Sequence, residues 1–270
     1  MNEIISIVFS KDRPMQLYSL LTSLHMNIAQ QAKIIVLFKA SSDRIQRQYH
    51  EVIRELFIKI PILAVQEDYS FKYHLLNLFD CMNSKYISFL VDDIVFIRRF
   101  SYKEILPWCR RGYIPSLRLG SNICHSYMTD EHEGLPKLSN KSNMLTWKWS
   151  EGGIDWSYPL SLDGNIFSRS EMFELLKVLE FHSPNTLEQA LQTYNDRFRK
   201  RKGICFYNPV LVNIPCNKVQ TDYTDNRSGD VDVSFLADQW DSGMRIRVED
   251  YQELNVNSVH AELPITFVKR

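Results

Sequence analysis

Four short apolar runs separated by helix-patterned stretches constrain the fold of this chain more than any other feature. Ile4 to Phe9, Lys33 to Phe38, Ile62 to Val65 and Tyr86 to Val91 are dominated by β-branched, aromatic and other apolar residues. Runs of this kind read as strands buried on both faces. After the first run, Leu17, Leu20, Leu21, Leu24 and Ile28 recur at helical spacing. Ile45, Tyr49, Val52, Ile53, Leu56 and Phe57 do so after the second, and Phe71, Leu75, Leu78, Phe79 and Met82 after the third. Each set puts one apolar stripe on a helix. The βαβαβαβ order predicts a mainly parallel α/β sheet with helices on both faces and right-handed crossovers.

The fourth run ends in Asp92-Asp93, and Ile94 to Ile97 continues apolar. Two carboxylates inside an apolar stretch are costly unless something compensates them. A divalent Mn²⁺ or Mg²⁺ would do so through hard oxygen ligands. The carboxyl ends of strands are also where open α/β sheets bind ligands. A turn with simply solvated acids is the competing reading. The loop after the first run is Ser10-Lys11-Asp12-Arg13-Pro14. It replaces the glycine-rich phosphate loops, since neither Gly-x-Gly-x-x-Gly nor Gly-Lys-Ser/Thr follows the strand. Lys11 and Arg13 beside a helix start suit phosphate. Asp12 suits a base or ribose, or a helix cap, and Pro14 suits the first helical turn.

Composition narrows the class. The chain has 270 residues, 44% hydrophobic and 24% charged, with a formal net charge of zero. No basic excess points to nucleic acid. The five cysteines are scattered without a Cys-x-x-Cys, which reads as reduced thiols in a cytosolic protein. No run approaches the length of a membrane span, and the N-terminus does not read as a signal peptide.

Beyond Ile97 the pattern loosens. Ser101 to Arg111 reads as a short helix and Tyr113 to Arg118 as a strand, and residues 119–146 read as polar and irregular. His125 and His132 lack metal-like spacing and read as surface residues. The segment 147–167 combines Trp147, Trp149, Trp156 and Tyr158 with Asp155 and Asp163. Such rings and carboxylates can bind sugar, or can be core and turn, with Asp163-Gly164 a tight turn; Gly153 would permit close backbone approach. Ser168 to Glu171 is a capping-box pattern. Pro184 opens a further helix in which Glu188 is either a cap partner of Asn185 or a general base. The basic run Arg197–Lys202 complements a helix end or leans on anionic lipid at a membrane surface. Strands are expected at Ile204 to Tyr207, Val210 to Ile214 and Leu263 to Val268, a helix around Phe235, Leu236 and Trp240, and a polar loop over 217–229.

A first strand ending in Ser-Lys-Asp-Arg-Pro, a leucine-spaced helix, and a later strand ending in Val91-Asp92-Asp93 resemble the nucleotide-sugar half of GT-A fold glycosyltransferases. The resemblance covers about residues 4–100, and the remainder in outline. It implies a Rossmann-like GT-A domain with residues 1–100 as its nucleotide-sugar half and 101–270 as its acceptor and C-terminal half. It implies a nucleoside-diphosphate sugar as donor, with Mn²⁺ or Mg²⁺ held by the acidic pair. Asp93 would be the direct metal ligand, and Asp92 would lie near the ribose or donor sugar or bridge through water. Val91 stands where the first acid of the family's DxD motif often stands, a departure that leaves a metal-independent variant open. Asp68, in Glu67-Asp68-Tyr69, would contact the base, with Ser10, Lys11, Asp12, Arg13 and Lys72 completing the nucleotide site. His260 would be a third metal ligand, Lys218 and Arg227 would close over the diphosphate, and residues 119–146 would form a lid or acceptor loop. Glu188 would be the base of an inverting transfer to a glycan or lipid-linked acceptor, with Asp163 and Asp155 as rivals. The expected location is the cytoplasm, with possible membrane contact through Arg197–Lys202. A sugar nucleotidyltransferase and a non-catalytic binding module are the alternatives.

Overall fold

In the computed structural model, which describes residues 3–30, 33–141, 143–219, 222 and 227–270, all four apolar runs are strands. The order begins β1 (Ile4–Lys11), α1 (Pro14–Asn27), β2 (Lys33–Lys39), α2 (Asp43–Phe57), β3 (Ile62–Gln66), α3 (Phe71–Cys81) and β4 (Tyr86–Val91). It continues with β5 (Ile94–Phe96), α4 (Tyr102–Cys109), β6 (Ile114–Ser116), β7 (His125–Ser126), β8 (Glu131–His132), β9 (Ser139–Lys141) and β10 (Met144–Lys148). Then come β11 (Ile166–Ser168), α5 (Arg169–Val178), α6 (Pro184–Leu191), α7 (Asn195–Arg199), β12 (Lys202–Phe206) and β13 (Leu211–Asn213). The last elements are α8 (Val233–Asp241), β14 (Met244–Ile246) and β15 (Phe267–Lys269).

The main sheet has the order β11-β4-β1-β2-β3. The four predicted strands run parallel, and β11 joins antiparallel to β4. The strand order reverses after β3, so right-handed crossovers put α3 on the face opposite α1 and α2. Accordingly α1 packs on α2, and α3 packs on α5. The apolar stripes drive this: Leu17, Leu20, Leu21 and Leu24 of α1 and Tyr49 and Val52 of α2 are fully buried. Burying a side chain of this size contributes about 1.5–3 kcal/mol.

A second sheet, β6-β12-β10-β9, stands beside the first. It contains β9, inside the stretch read from sequence as irregular, and β10, which begins in that stretch. β10 is stabilised by β12, where Trp147 lies over Gly203; a Cβ there would sit 2.3 Å from the indole. The C-terminal strand is only β15, paired with β14, and not the longer run from Leu263. Trp147, Trp149 and Trp156 form a buried cluster, with Trp147 edge-on to the other two. Their indole N–H groups at Trp147 and Trp156 donate to the carbonyls of Trp156 and Ile123. The apolar area of these rings is therefore spent on the core and does not face a sugar.

Candidate functional site

Parallel register brings the predicted loop residues to one edge. Phe9 pairs with Val91, Ser10 with Phe38 and Phe38 with Gln66. The residues that follow each strand therefore meet at the carboxyl end of the sheet, beside a cavity of about 650 Å³. Its lining includes Ser10, Lys11, Arg13, Asp92, Asp93, Asp163, Glu188, Lys218, Arg227 and His260. That volume suits a nucleotide-sized ligand.

The first wall is the acid pair. Asp92 is 4% exposed. It accepts from Ser10 Oγ at 2.9 Å, from the Lys11 amide at 3.2 Å and from Arg13 Nη1 at 2.9 Å. The same Nη1 lies 3.4 Å from Asp93 Oδ2, and Nη2 donates to the Asn217 carbonyl. Compensation of the two acids thus comes first from Arg13. Burial pushes Asp92 upward against the pull of Arg13. Asp93 is raised to about 7, by burial opposed by Arg13 and reinforced by Asp92 and Asp163. For Arg13 the two carboxylates outweigh burial and raise its pKa.

Among the described residues no three His, Cys, Asp or Glu side chains converge as a metal cage. A Mg²⁺-type site does not need one, because it takes one or two carboxylates and completes its shell with water and phosphate oxygens. Asp93 meets that requirement: it is the acid left short of positive charge, with one oxygen taking only Asn213 Nδ2 at 3.3 Å. Asn213 forms a bridge with His260, whose Nε2 lies 3.7 Å from Asp163. Burial lowers the His260 pKa, which favours the neutral imidazole that metals bind.

The second wall comes from β11, α6 and the turn before them. Glu188 lies within α6 and accepts from the Leu162 amide at 3.0 Å. It is not a cap. Ser183 caps α6 on the Thr186 amide, and Thr186 reciprocates on the Ser183 amide. Asn185 and Glu188 are left free of that duty. Glu188 is half-buried and reachable from the cavity, yet dense protein around it raises its pKa to about 7, with Asp163 adding to the effect. The Leu162 amide, Arg118 and Ser161 oppose that rise. Asp163 is set by the turn at Gly164, whose φ of +82° favours glycine and strains any other residue. At the other end of this segment the close approach is at Gly152, where a Cβ would meet the Trp156 carbonyl at 2.2 Å, and not at Gly153.

Two residues of this wall were not singled out from sequence. Arg118, 2% exposed, donates Nη1 to Asp155 at 3.1 Å. Glu133, 3% exposed, accepts from the Asp155 amide at 2.9 Å and is raised to about 7, by burial and then by Asp155.

Three predicted nucleotide ligands sit elsewhere. Asp12 adopts φ of +54° and turns its carboxylate onto Ser41, accepting from the amide and the hydroxyl at 2.7 Å each. Asp68 is exposed and pairs with His74 at 2.8 Å. Lys72 reaches Glu180 at 3.0 Å and the Phe181 ring at 5.6 Å. Glu67 does line the cavity, paired with Lys39 at 2.8 Å. In the basic run, Arg197 and Arg201 both bind Glu171, at 3.2 and 2.7 Å, so much of that charge is met within the fold. Of the predicted loop at 217–229, residues 220, 221 and 223–226 lie outside the described residues. No described helix is long and apolar enough to cross a membrane.

The sheet order, with its ligand cavity at the strand ends, defines a Rossmann-like α/β class. Among solved structures the chain is similar in fold to Staphylococcus aureus TarS, with a TM-score of 0.50 and 14% identity over 79% of this chain and 37% of that one. TarS 1–349 in complex with UDP-GlcNAc gives a TM-score of 0.51 and 12% identity, over 77% of this chain and 57% of that one. In sequence the chain is similar to the bifunctional glycosyltransferase pgtA of Dictyostelium discoideum, 27% identical over 304 aligned positions. That match takes in 96% of this chain and 38% of the relative's length. No family model matches the chain. The mainly parallel α/β fold expected from the sequence is thus also the fold of TarS.

Proposed function

We propose that this chain is a glycosyltransferase that moves a sugar from a nucleoside-diphosphate donor to a hydroxyl of a glycan or lipid-linked acceptor. One observation carries the reading: a single cavity joins the Arg13–Asp92–Asp93 cluster at the strand ends to a carboxylate, Glu188, raised to about 7. The similarity to pgtA and the UDP-GlcNAc complex of the similar TarS fold support the same donor class.

In this reading residues 1–100 hold the nucleotide and residues 101–270 shape the acceptor side. Arg13 keeps Asp92 and Asp93 in register, and Lys11, Lys218 and Arg227, which line the cavity, would meet the diphosphate. Asp93, with His260 nearby, would hold a divalent cation, which supplies positive charge against the leaving diphosphate. Glu188 takes the proton of the acceptor hydroxyl. A base with a pKa near 7 is well matched to that transfer at neutral pH. The acceptor oxygen then bonds to the anomeric carbon as the bond to the diphosphate breaks, and the electron pair leaves with the diphosphate. A single displacement of this kind inverts the anomeric configuration. Asp163, 9% exposed and beside His260, organises the wall in place of acting as the base.

The test is release of nucleoside diphosphate from a panel of nucleotide sugars, with and without Mn²⁺ and simple sugar acceptors. Turnover that is lost in Asp93→Ala is expected. Pyrophosphate-dependent nucleotide exchange in its place would assign the chain to nucleotidyl transfer.

A further inference from the structure

We propose that Arg118 is a positioning residue of the acceptor wall, whose fixed guanidinium is the counter-charge that keeps Glu188 ready to accept a proton. The inference rests on the assignment of Glu188 as base.

Arg118 is held where it cannot follow a moving ligand. The Leu117 amide before it donates to the Gly164 carbonyl at 3.2 Å, and the Leu117 carbonyl accepts from Val210 at 3.0 Å. Its guanidinium lies 5.8 Å from the Tyr158 ring centre, with Nη1 bonded to Asp155. The Asp155 amide in turn is tied to Glu133. Nε and Nη2 are buried and make no hydrogen bond among the described residues. A buried arginine with one hydrogen bond is expensive as a purely structural element. Its remaining compensation comes through space, from the carboxylates of Asp163 and Glu188. Among the described residues, the groups that act most on Glu188 are Asp163, the Leu162 amide, Arg118 and the Ser161 hydroxyl, and Glu188 acts in turn on Tyr158. Arg118 is the one cation among them. His260 faces Asp163 and is held neutral by burial. Without Arg118 the carboxylates of Asp155, Asp163 and Glu188 would lose the cation that offsets them.

The experiment is a ¹³C-carboxyl NMR titration of the full chain, with the Glu188 signal assigned by its loss in Glu188→Gln. It is run beside the pH profile of nucleoside-diphosphate release. In Arg118→Met, Glu188 is expected to titrate about one pH unit or more higher, and the acid limb of the profile should move with it. Arg118→Lys should restore most of both. Asp155→Asn, which removes a competing anion from Arg118, should move the titration the opposite way, and this keeps the test decisive if Arg118→Met does not fold. Glu188 titrating unchanged in Arg118→Met or Asp155→Asn, or a loss of rate equal at every pH, would overturn the inference. A Glu188→Gln enzyme with full rate and an unmoved acid limb would instead overturn the base assignment and leave the titration result standing.

Discussion

The two walls of the cavity each bury an arginine among carboxylates, but they settle its charge differently. At the strand ends Arg13 shares Nη1 between Asp92 and Asp93 and commits Nη2 to a carbonyl, leaving only Nε without a partner among the described residues. In the second wall Arg118 commits Nη1 alone. Burial raises all three acids, but Asp92 accepts from three donors, whereas Asp93 and Glu188 have fewer and are raised to about 7. Saturated groups hold the frame, and undercompensated groups remain available to a cation or a proton. The difference separates residues that build the site from residues that would act in it.

A set of substitutions and a pH scan can break that distinction. The largest effect is expected from Glu188→Gln, which should cut transfer about 10²- to 10⁴-fold and leave donor binding intact; steady-state rates with equilibrium binding check it. Next is Asp92→Asn. It strips Arg13 of its closest charge partner, and breaking a buried pair costs about 3–5 kcal/mol, readable by urea unfolding. Asp93→Asn should do the reverse above neutral pH and raise the melting temperature, because it removes a buried charge that the fold compensates poorly.

A smaller effect concerns pH. Glu188 and Glu133 rise from 4.5 to about 7 in the fold, and Asp93 from 3.8 to about 7. The folded state then binds more protons than the open chain between those limits, so stability should fall as pH rises toward 7 and level off above it. Differential scanning calorimetry of the wild type should show this decline, and Glu188→Gln should flatten part of it. The smallest effects belong to Asp68→Ala and Lys72→Ala. Both side chains make surface pairs, which contribute about 0–1 kcal/mol, so turnover should change less than about twofold.

The legibility of the chain in sequence follows the same division. Periodicity located β1 to β4 and α1 to α3 because each element satisfies its apolar face within a few turns of chain, and the Asp92–Asp93 pair stood out as charge at a buried strand's end. The second wall is built from short elements whose reasons lie far apart. Arg118 looks like an exposed strand terminus until Asp155, 37 residues later, reaches it. The first residues of β10, up to Thr146, read as irregular because the preceding segment is polar and the partner β12 is distant in sequence. A helix-cap signal for α6 was present at Ser183 and Thr186, with the threonine hydroxyl doing what a glutamate does in the commoner pattern. Asp12 turns onto Ser41 from a left-handed φ, a conformation that leaves no mark in composition.

The most direct test of the account is a thermal-shift titration of the wild-type chain and Asp93→Asn with nucleoside diphosphates, each with and without Mn²⁺. The account predicts that at least one nucleotide raises the melting temperature of the wild type, and that any increment added by Mn²⁺ disappears in Asp93→Asn. No shift with any nucleotide under either metal condition would contradict it.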